Sequence, residues 1–440
     1  MLDRQLSRWT LAWFAAAFGW LIAAMLAMAT GVGGPGLWGT PQGLALVHVV
    51  ALGWLGHMMS GALVQFAPVL AVRPLRFPAL ALPALLAQSA GVAVLVEGFL
   101  RLGDAAYGWL MPLAVVLLLA GMAATGLMVV PTLWPDRSAA ARMVTAAFAG
   151  LTLAALAGAG LALSLSGVLP VGSLLNGGLP FHVVAGIGAW LSVATFGVSY
   201  RLFPMFLVAP DGEGRLRRLT LWLARGLIAL VTLGLGLALV DAPAGAALAA
   251  ILAVSAAAAV LYLADLRAVW RARRRPRPEA NMRMTPLALG FLALALLLAP
   301  VAALQGGTWP EAAVAAALLG WLTTLTLAQV VKITSFLTWI QVFAPQIGRG
   351  PLPMVHDLTS DRAARGWLWL WAAGVLTLTV ALAAGSDMLF RLAAPVLLVA
   401  ATGIAGECLQ IRRLSRLPAA KRPAVLPPLI LPPKDRSFAP

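Results

Sequence analysis

The sequence predicts an all-α integral membrane protein of twelve transmembrane helices, arranged as three pseudo-repeats of four. Three observations carry this. Of 440 residues, 61% are hydrophobic and only 10% charged, against roughly 25% charged in a soluble domain. The apolar residues gather into twelve segments, each about as long as the roughly 20 residues that cross a bilayer. A Trp-centred pattern returns in the second, sixth and tenth segments. The single cysteine, Cys408, excludes an intrachain disulfide and a cysteine-rich metal site.

The segments lie near 9–30, 43–70, 77–100, 107–130, 143–167, 180–208, 219–240, 244–268, 284–304, 311–340, 366–384 and 388–409. The charged start, Met1 to Arg8, runs straight into the first of them and reads as the flank of a retained helix rather than a cleaved leader. Polar or Pro/Gly-rich links separate the segments. Their repeats are drawn at 1–140, 141–278 and 279–415, followed by a Pro-rich basic tail, 416–440, that is expected to be disordered. The net charge of +16 is distributed unevenly. With the N-terminus in the cytoplasm, every Lys and Arg except Arg101 and Arg391 falls on the inner side, and an even count of spans returns the C-terminus there. The expected location is therefore the cytoplasmic membrane of a prokaryote. Arg101 and Arg391 each follow an acid by four positions, Glu97 and Asp387, which puts each pair on one helix face. The basic loop from Arg271 to Pro278 lacks interleaved aromatics. Anionic lipid, not nucleic acid, is its expected partner.

The repeat is read by aligning Trp54, Trp190 and Trp321. Seven positions later stand Gly61, Gly197 and Ala328; eleven later, Gln65, Arg201 and Lys332; fourteen later, Pro68, Pro204 and Ser335. The three helices are expected to run continuously until these last positions. The small residues would permit close helix or ligand approach. Gln65, Arg201 and Lys332 are expected to snorkel to headgroups or to line a polar inner vestibule; Arg225 is expected to snorkel as well.

A pseudo-threefold, twelve-helix chain with this pattern resembles subunit I of the haem–copper oxidase superfamily, most nearly the C-type oxidases and nitric oxide reductases. In the family's tenth helix, histidines stand eight and six positions before the Trp. Here His182 holds the minus-eight slot of the sixth segment and His48 the minus-six slot of the second. The resemblance implies that His48 is an axial ligand of a b-type haem near the outer surface. The departures are as informative. Ala313 and Ala315 occupy the haem-ligand slots of the tenth segment, Val184 stands at a copper-ligand slot, and the seventh segment lacks the paired copper histidines. Four histidines in all cannot build a copper centre beside a haem, so no oxygen-reducing or NO-reducing binuclear site is expected.

His48 and His182 both fall near the outer ends of their helices, where imidazoles either clamp a haem between the first and second repeats or form interhelical hydrogen bonds. A bis-imidazole clamp would bring their ligating nitrogens to roughly 4 Å. His57, nine positions past His48, points to the opposite face of an ideal helix and cannot share its metal. It reads either as a functional intramembrane group or as a neutral ring bonded to a neighbouring helix. His356 reads as a loop residue. Met58, Met59, Met205 and Met354 read as fillers, and the tryptophans as belt or packing residues. The functional expectation is an oxidase-like membrane protein without terminal-oxidase activity, binding one haem for electron relay, haem handling or gas sensing, with a redox partner. The alternatives are a small-solute transporter, with its site at a repeat interface, and a non-catalytic scaffold subunit.

Overall fold

A long apolar segment in lipid has no water to satisfy its peptide groups, so it must bond them internally as a helix. The computed structural model describes residues 9–348 and 350–430, and among these the regular structure is helical throughout. Twelve helices are long and apolar enough to cross a membrane: α1 (Thr10–Ala29), α2 (Pro41–Ala71), α3 (Pro78–Leu100), α4 (Ala105–Leu133), α5 (Ala139–Leu165), α6 (Leu179–Leu207), α7 (Arg215–Leu239), α8 (Gly245–Arg271), α9 (Ala280–Gln305), α10 (Trp309–Gln346), α11 (Asp361–Ala383) and α12 (Asp387–Arg412). The chain is thus an all-α, multi-pass membrane protein.

Their packing has one pattern used three times. α2 packs on α1, α3 and α4; α6 on α5, α7 and α8; α10 on α9, α11 and α12. The groups join through α4–α5 and α8–α9, and α12 returns to α1. α2 and α6 both meet α10 at the centre. Burial ranks them accordingly: 89% of the apolar window of α10 is buried, against 22% for α9.

The three central helices are not continuous α-helix. Each contains eight residues of π-helix: Val49–Gly56, Ala185–Ser192 and Ala316–Thr323. The aligned tryptophan is the sixth residue of each. Widening a helix from i→i+4 to i→i+5 leaves carbonyls without their usual amides, and side chains take them. Ser192 Oγ donates to Ile187 O at 2.7 Å, Thr323 Oγ1 to Leu318 O at 2.7 Å, and His57 Nδ1 to Leu52 O at 2.9 Å, every one of them five residues back. The same hydroxyls receive the indoles. Trp54 Nε1 donates to Thr323 Oγ1 (2.9 Å) and Trp321 Nε1 to Ser192 Oγ (3.1 Å). The equivalent slot in α2 is Gly56, which has no hydroxyl for Trp190, so this ring of bonds is open at one corner.

Gly61 and Gly197 sit where α2 and α6 cross the first helices of their groups. A Cβ on Gly61 would lie 2.5 Å from Trp13 Cβ, and one on Gly197 2.8 Å from Val144 Cγ2 and 2.9 Å from Ala140 O. Gly61→Val and Gly197→Val are each expected to destabilise the protein by about 1–3 kcal/mol. Gly226→Val, placed where no atom lies within 4 Å, should change little. Thermal unfolding in detergent compares the three, and equal midpoints would remove the close-approach role.

The last described residues, 413–430, are irregular apart from one turn at Ala419–Lys421. They return to the bundle: the Arg412 guanidinium donates to the carbonyls of Leu429 (3.2 Å) and Pro428. The expectation of tail disorder also covers 431–440, which lie outside the described residues.

Candidate functional site

The outer end of α2 is fixed before His48 is reached. Glu311 at the start of α10 accepts the amides of Gly36 (2.8 Å) and Trp38 (3.1 Å), holding the α1–α2 loop. Thr40 then caps α2 through Gly43 N (3.2 Å), with Pro41 in the first turn. His48 follows two turns on, beside the π segment. His182 lies one turn into α6, after Pro180.

The two imidazoles are neighbours across the α2–α6 contact. Their ring centroids are 6.3 Å apart and their planes 20° apart. That lies toward the long end of the range for offset ring stacking, about 4.5–7 Å. It is also longer than a direct N–H···N bond would give, about 5 Å between centroids from a 2.9 Å bond. Two imidazoles sharing one metal at about 2.0 Å each place their centroids roughly 6 Å apart.

Their outward nitrogens are already committed. His48 Nδ1 lies 2.7 Å from Leu44 O, and His182 Nδ1 lies 3.1 Å from Ala154 O on α5. A carbonyl only accepts, so each neutral ring carries its proton on Nδ1 and keeps the lone pair on Nε2. An Nδ1–H held by a carbonyl is the usual support of a metal-ligating histidine. Gly158 makes room for this on α5. A Cβ there would stand 2.9 Å from His182 Cε1. On the other side Phe99 of α3 packs on His48, with centroids 5.0 Å apart. Val92, Leu95, Met111 and Leu118 extend this wall as one apolar cluster. The donor chemistry suits a bis-imidazole haem: two imidazoles whose Nδ1 atoms are committed to carbonyls, in apolar surroundings.

His57 is different. Its Nδ1 donates to Leu52 O and its Nε2 lies 2.9 Å from Ser89 Oγ on α3, while Trp13 packs on the ring at 5.3 Å. Both nitrogens are used, so no lone pair is left for a metal. The expectation that it points directly away from His48 needs correction. The π turns between them rewind the helix, and both rings meet α3, at Phe99 and Ser89. Those contacts are ten residues, or about 15 Å, apart along α3, so the two histidines remain separate sites.

The eleven-position slot also departs from expectation. Gln65 is buried and accepts from Thr10 Oγ1 at 3.4 Å. Lys332 does not snorkel; its ammonium is held by Glu279 at 2.5 Å with the side chain 12% exposed. Arg201 is half-exposed and bound to Asp211. Burial by itself would raise the Glu279 carboxyl, but Lys332 and Arg275 outweigh it and hold it below the ordinary carboxylate range. A depressed carboxyl stabilises the fold above its unfolded value, near 4.3, and that contribution is lost as pH falls through the lower folded value. Thermal stability should therefore drop below about pH 4, and Glu279→Gln should flatten part of that drop. An unchanged acid profile would mean that solvent screens the pair.

Between α2, α6 and α10, beyond the tryptophans, lies an apolar cavity of ≈ 90 Å³ bordered by Met58, Phe66, Thr195, Leu325 and Gln329. It is well below the roughly 300 Å³ at which ligand pockets begin. Its polar neighbours are paired: Ser199 Oγ with Tyr262 OH at 2.7 Å, and Gln329 Oε1 with Asn281 Nδ2 at 3.0 Å. Among the described residues no three His, Cys, Asp or Glu side chains gather as a metal site.

Sequence reasoning passed over Gly158, Ala154, Phe99 and Ser89. The small-residue run Ala157-Gly-Ala-Gly160 in α5 was the available signal for Gly158. No known family model matches the chain, and no curated protein matches it.

Proposed function

We propose that this chain is an oxidase-subunit-I-like membrane protein that has lost the binuclear centre and holds one b-type haem between α2 and α6. His48 and His182 would hold its iron. The observation that carries the reading is the neighbouring pair of imidazoles, 6.3 Å between centroids, each with Nδ1 committed to a carbonyl. Held by both imidazoles, the haem would supply one-electron transfer rather than gas binding. Of the three roles expected, electron relay is thus favoured over gas sensing. The protein's own part is to fix both rings through the Leu44 and Ala154 carbonyls and to keep water away with the α3–α4 wall.

The proposal includes the cytoplasmic membrane of a prokaryote, both termini in the cytoplasm, and a redox partner approaching the end of the bundle that carries His48. The transporter reading draws no support from the ≈ 90 Å³ apolar cavity at the centre. The test is a reduced-minus-oxidised optical spectrum of the detergent-purified protein from cells supplied with haem. A b-type signal near one haem per chain is expected. A colourless protein overturns the reading.

A further inference from the structure

At the opposite end of the bundle from His48, a subset of the cations is neutralised. Arg201, Arg217, Arg275, Arg283, Lys332 and Arg416 each hold a carboxylate. Of the arginines that hold no carboxylate, three line one groove. Arg137 and Arg142, at the start of α5, and Arg225, on α7, border a space of ≈ 470 Å³ together with Trp134, Asp136 and Thr145. Among the described residues none of the three guanidiniums forms an ion pair or side-chain hydrogen bond. The carboxylate in the groove, Asp136, is directed at the backbone, accepting Ser138 N at 2.8 Å. The α5 N-terminus is occupied as well. Ala139 N donates to Glu213 and Ala141 N to Ser138 Oγ. The free binding capacity of the groove is therefore the guanidiniums.

Two indoles place it at headgroup depth. Trp134 is 69% exposed and Trp222 65% exposed, on a surface that faces lipid. The Arg225 guanidinium lies 5.0 Å over the Trp222 ring. Arg225 is ten residues into α7, about 15 Å along it, so it forms the deep end of the groove while Arg137 is at the exposed rim. A strip of three unpaired guanidiniums running from the rim into the bilayer boundary, flanked by tryptophan, suits a ligand with a phosphate at the top and acyl chains below.

We propose that the groove between α4, α5 and α7 binds one anionic phospholipid, its phosphodiester held by Arg142 and Arg225 and steered by Arg137. The site is independent of the haem reading. Native mass spectrometry of the detergent-purified protein, titrated with phosphatidylglycerol, tests it. At about 1 kcal/mol for each basic residue near the surface, Arg142→Gln/Arg225→Gln should weaken the tightest binding event about thirtyfold. Arg225→Lys should keep most of it. Phosphatidylcholine should not substitute, and millimolar inorganic phosphate should not displace the lipid. Equal binding by the double variant and the parent, with both eluting as the same monodisperse species, overturns the proposal. So does equal binding of phosphatidylcholine, and so does displacement by inorganic phosphate, which would make the groove a soluble-anion site.

Discussion

His48→Ala is expected to lower the haem retained per chain by at least about tenfold, and His182→Ala to do the same. The figure is conservative: losing even a supporting partner of a ligating histidine typically weakens a metal site 10–100-fold, and under the haem proposal each substitution removes a ligand itself. His57→Ala is the control. Its ring bonds Leu52 O and Ser89 Oγ, so its loss should lower stability and leave the spectrum in place. Gly158→Leu supplies an intermediate case. The new side chain would begin 2.9 Å from His182 Cε1, displacing the ring while keeping its chemistry. A shifted or weakened haem signal is expected from it. If His57→Ala removed the signal while His48→Ala and His182→Ala kept it, the axial assignment would be wrong.

The fold was legible in the sequence for a plain reason. A bilayer punishes every unpaired peptide group, so length and apolarity decide helix positions with little help from tertiary contacts. The Trp alignment also marked the three helices that meet at the centre. What it could not show was their π turns. A π turn is one widened loop of the same backbone, and apolar composition is indifferent to it. Its signature is local: Ser192, Thr323 and His57, two or three positions past each Trp, serve the carbonyls that the widened turn frees. Reading His57 on an ideal helix therefore misplaced it. The proximity of His48 and His182 follows the slot symmetry, but the residues that pack around the pair come from α3 and α5. Phe99 and Gly158 lie outside the repeated pattern, and their roles depend on how neighbouring helices pack.

The largest stability effect is expected at Arg217. This side chain, 6% exposed, donates from Nε to Asp265 on α8 (3.0 Å) and from Nη1 to Asp211 in the α6–α7 loop (3.1 Å). It also lies 5.0 Å from the Tyr200 ring centroid on α6. One guanidinium thus ties three elements of the second group together. Arg217→Leu leaves the two acids in different situations. Asp211 keeps Arg201 and partial solvent. Asp265, 12% exposed in its side chain, is left with a buried and uncompensated charge. Breaking such a pair from one side destabilises a protein by about 3–5 kcal/mol, whereas replacing both partners with apolar residues is often close to neutral. Arg217→Leu should therefore be much less stable than Arg217→Leu/Asp265→Leu in equilibrium unfolding from mixed micelles. A single variant no worse than the double would mean that water already reaches Asp265. Under the haem proposal the optical spectrum would provide an internal reference, because Arg217 is at the far end of α7 from the His48–His182 pair. The ion-pair cluster should set how firmly α6, α7 and α8 are clamped, and the proposed haem should be retained until that clamp fails.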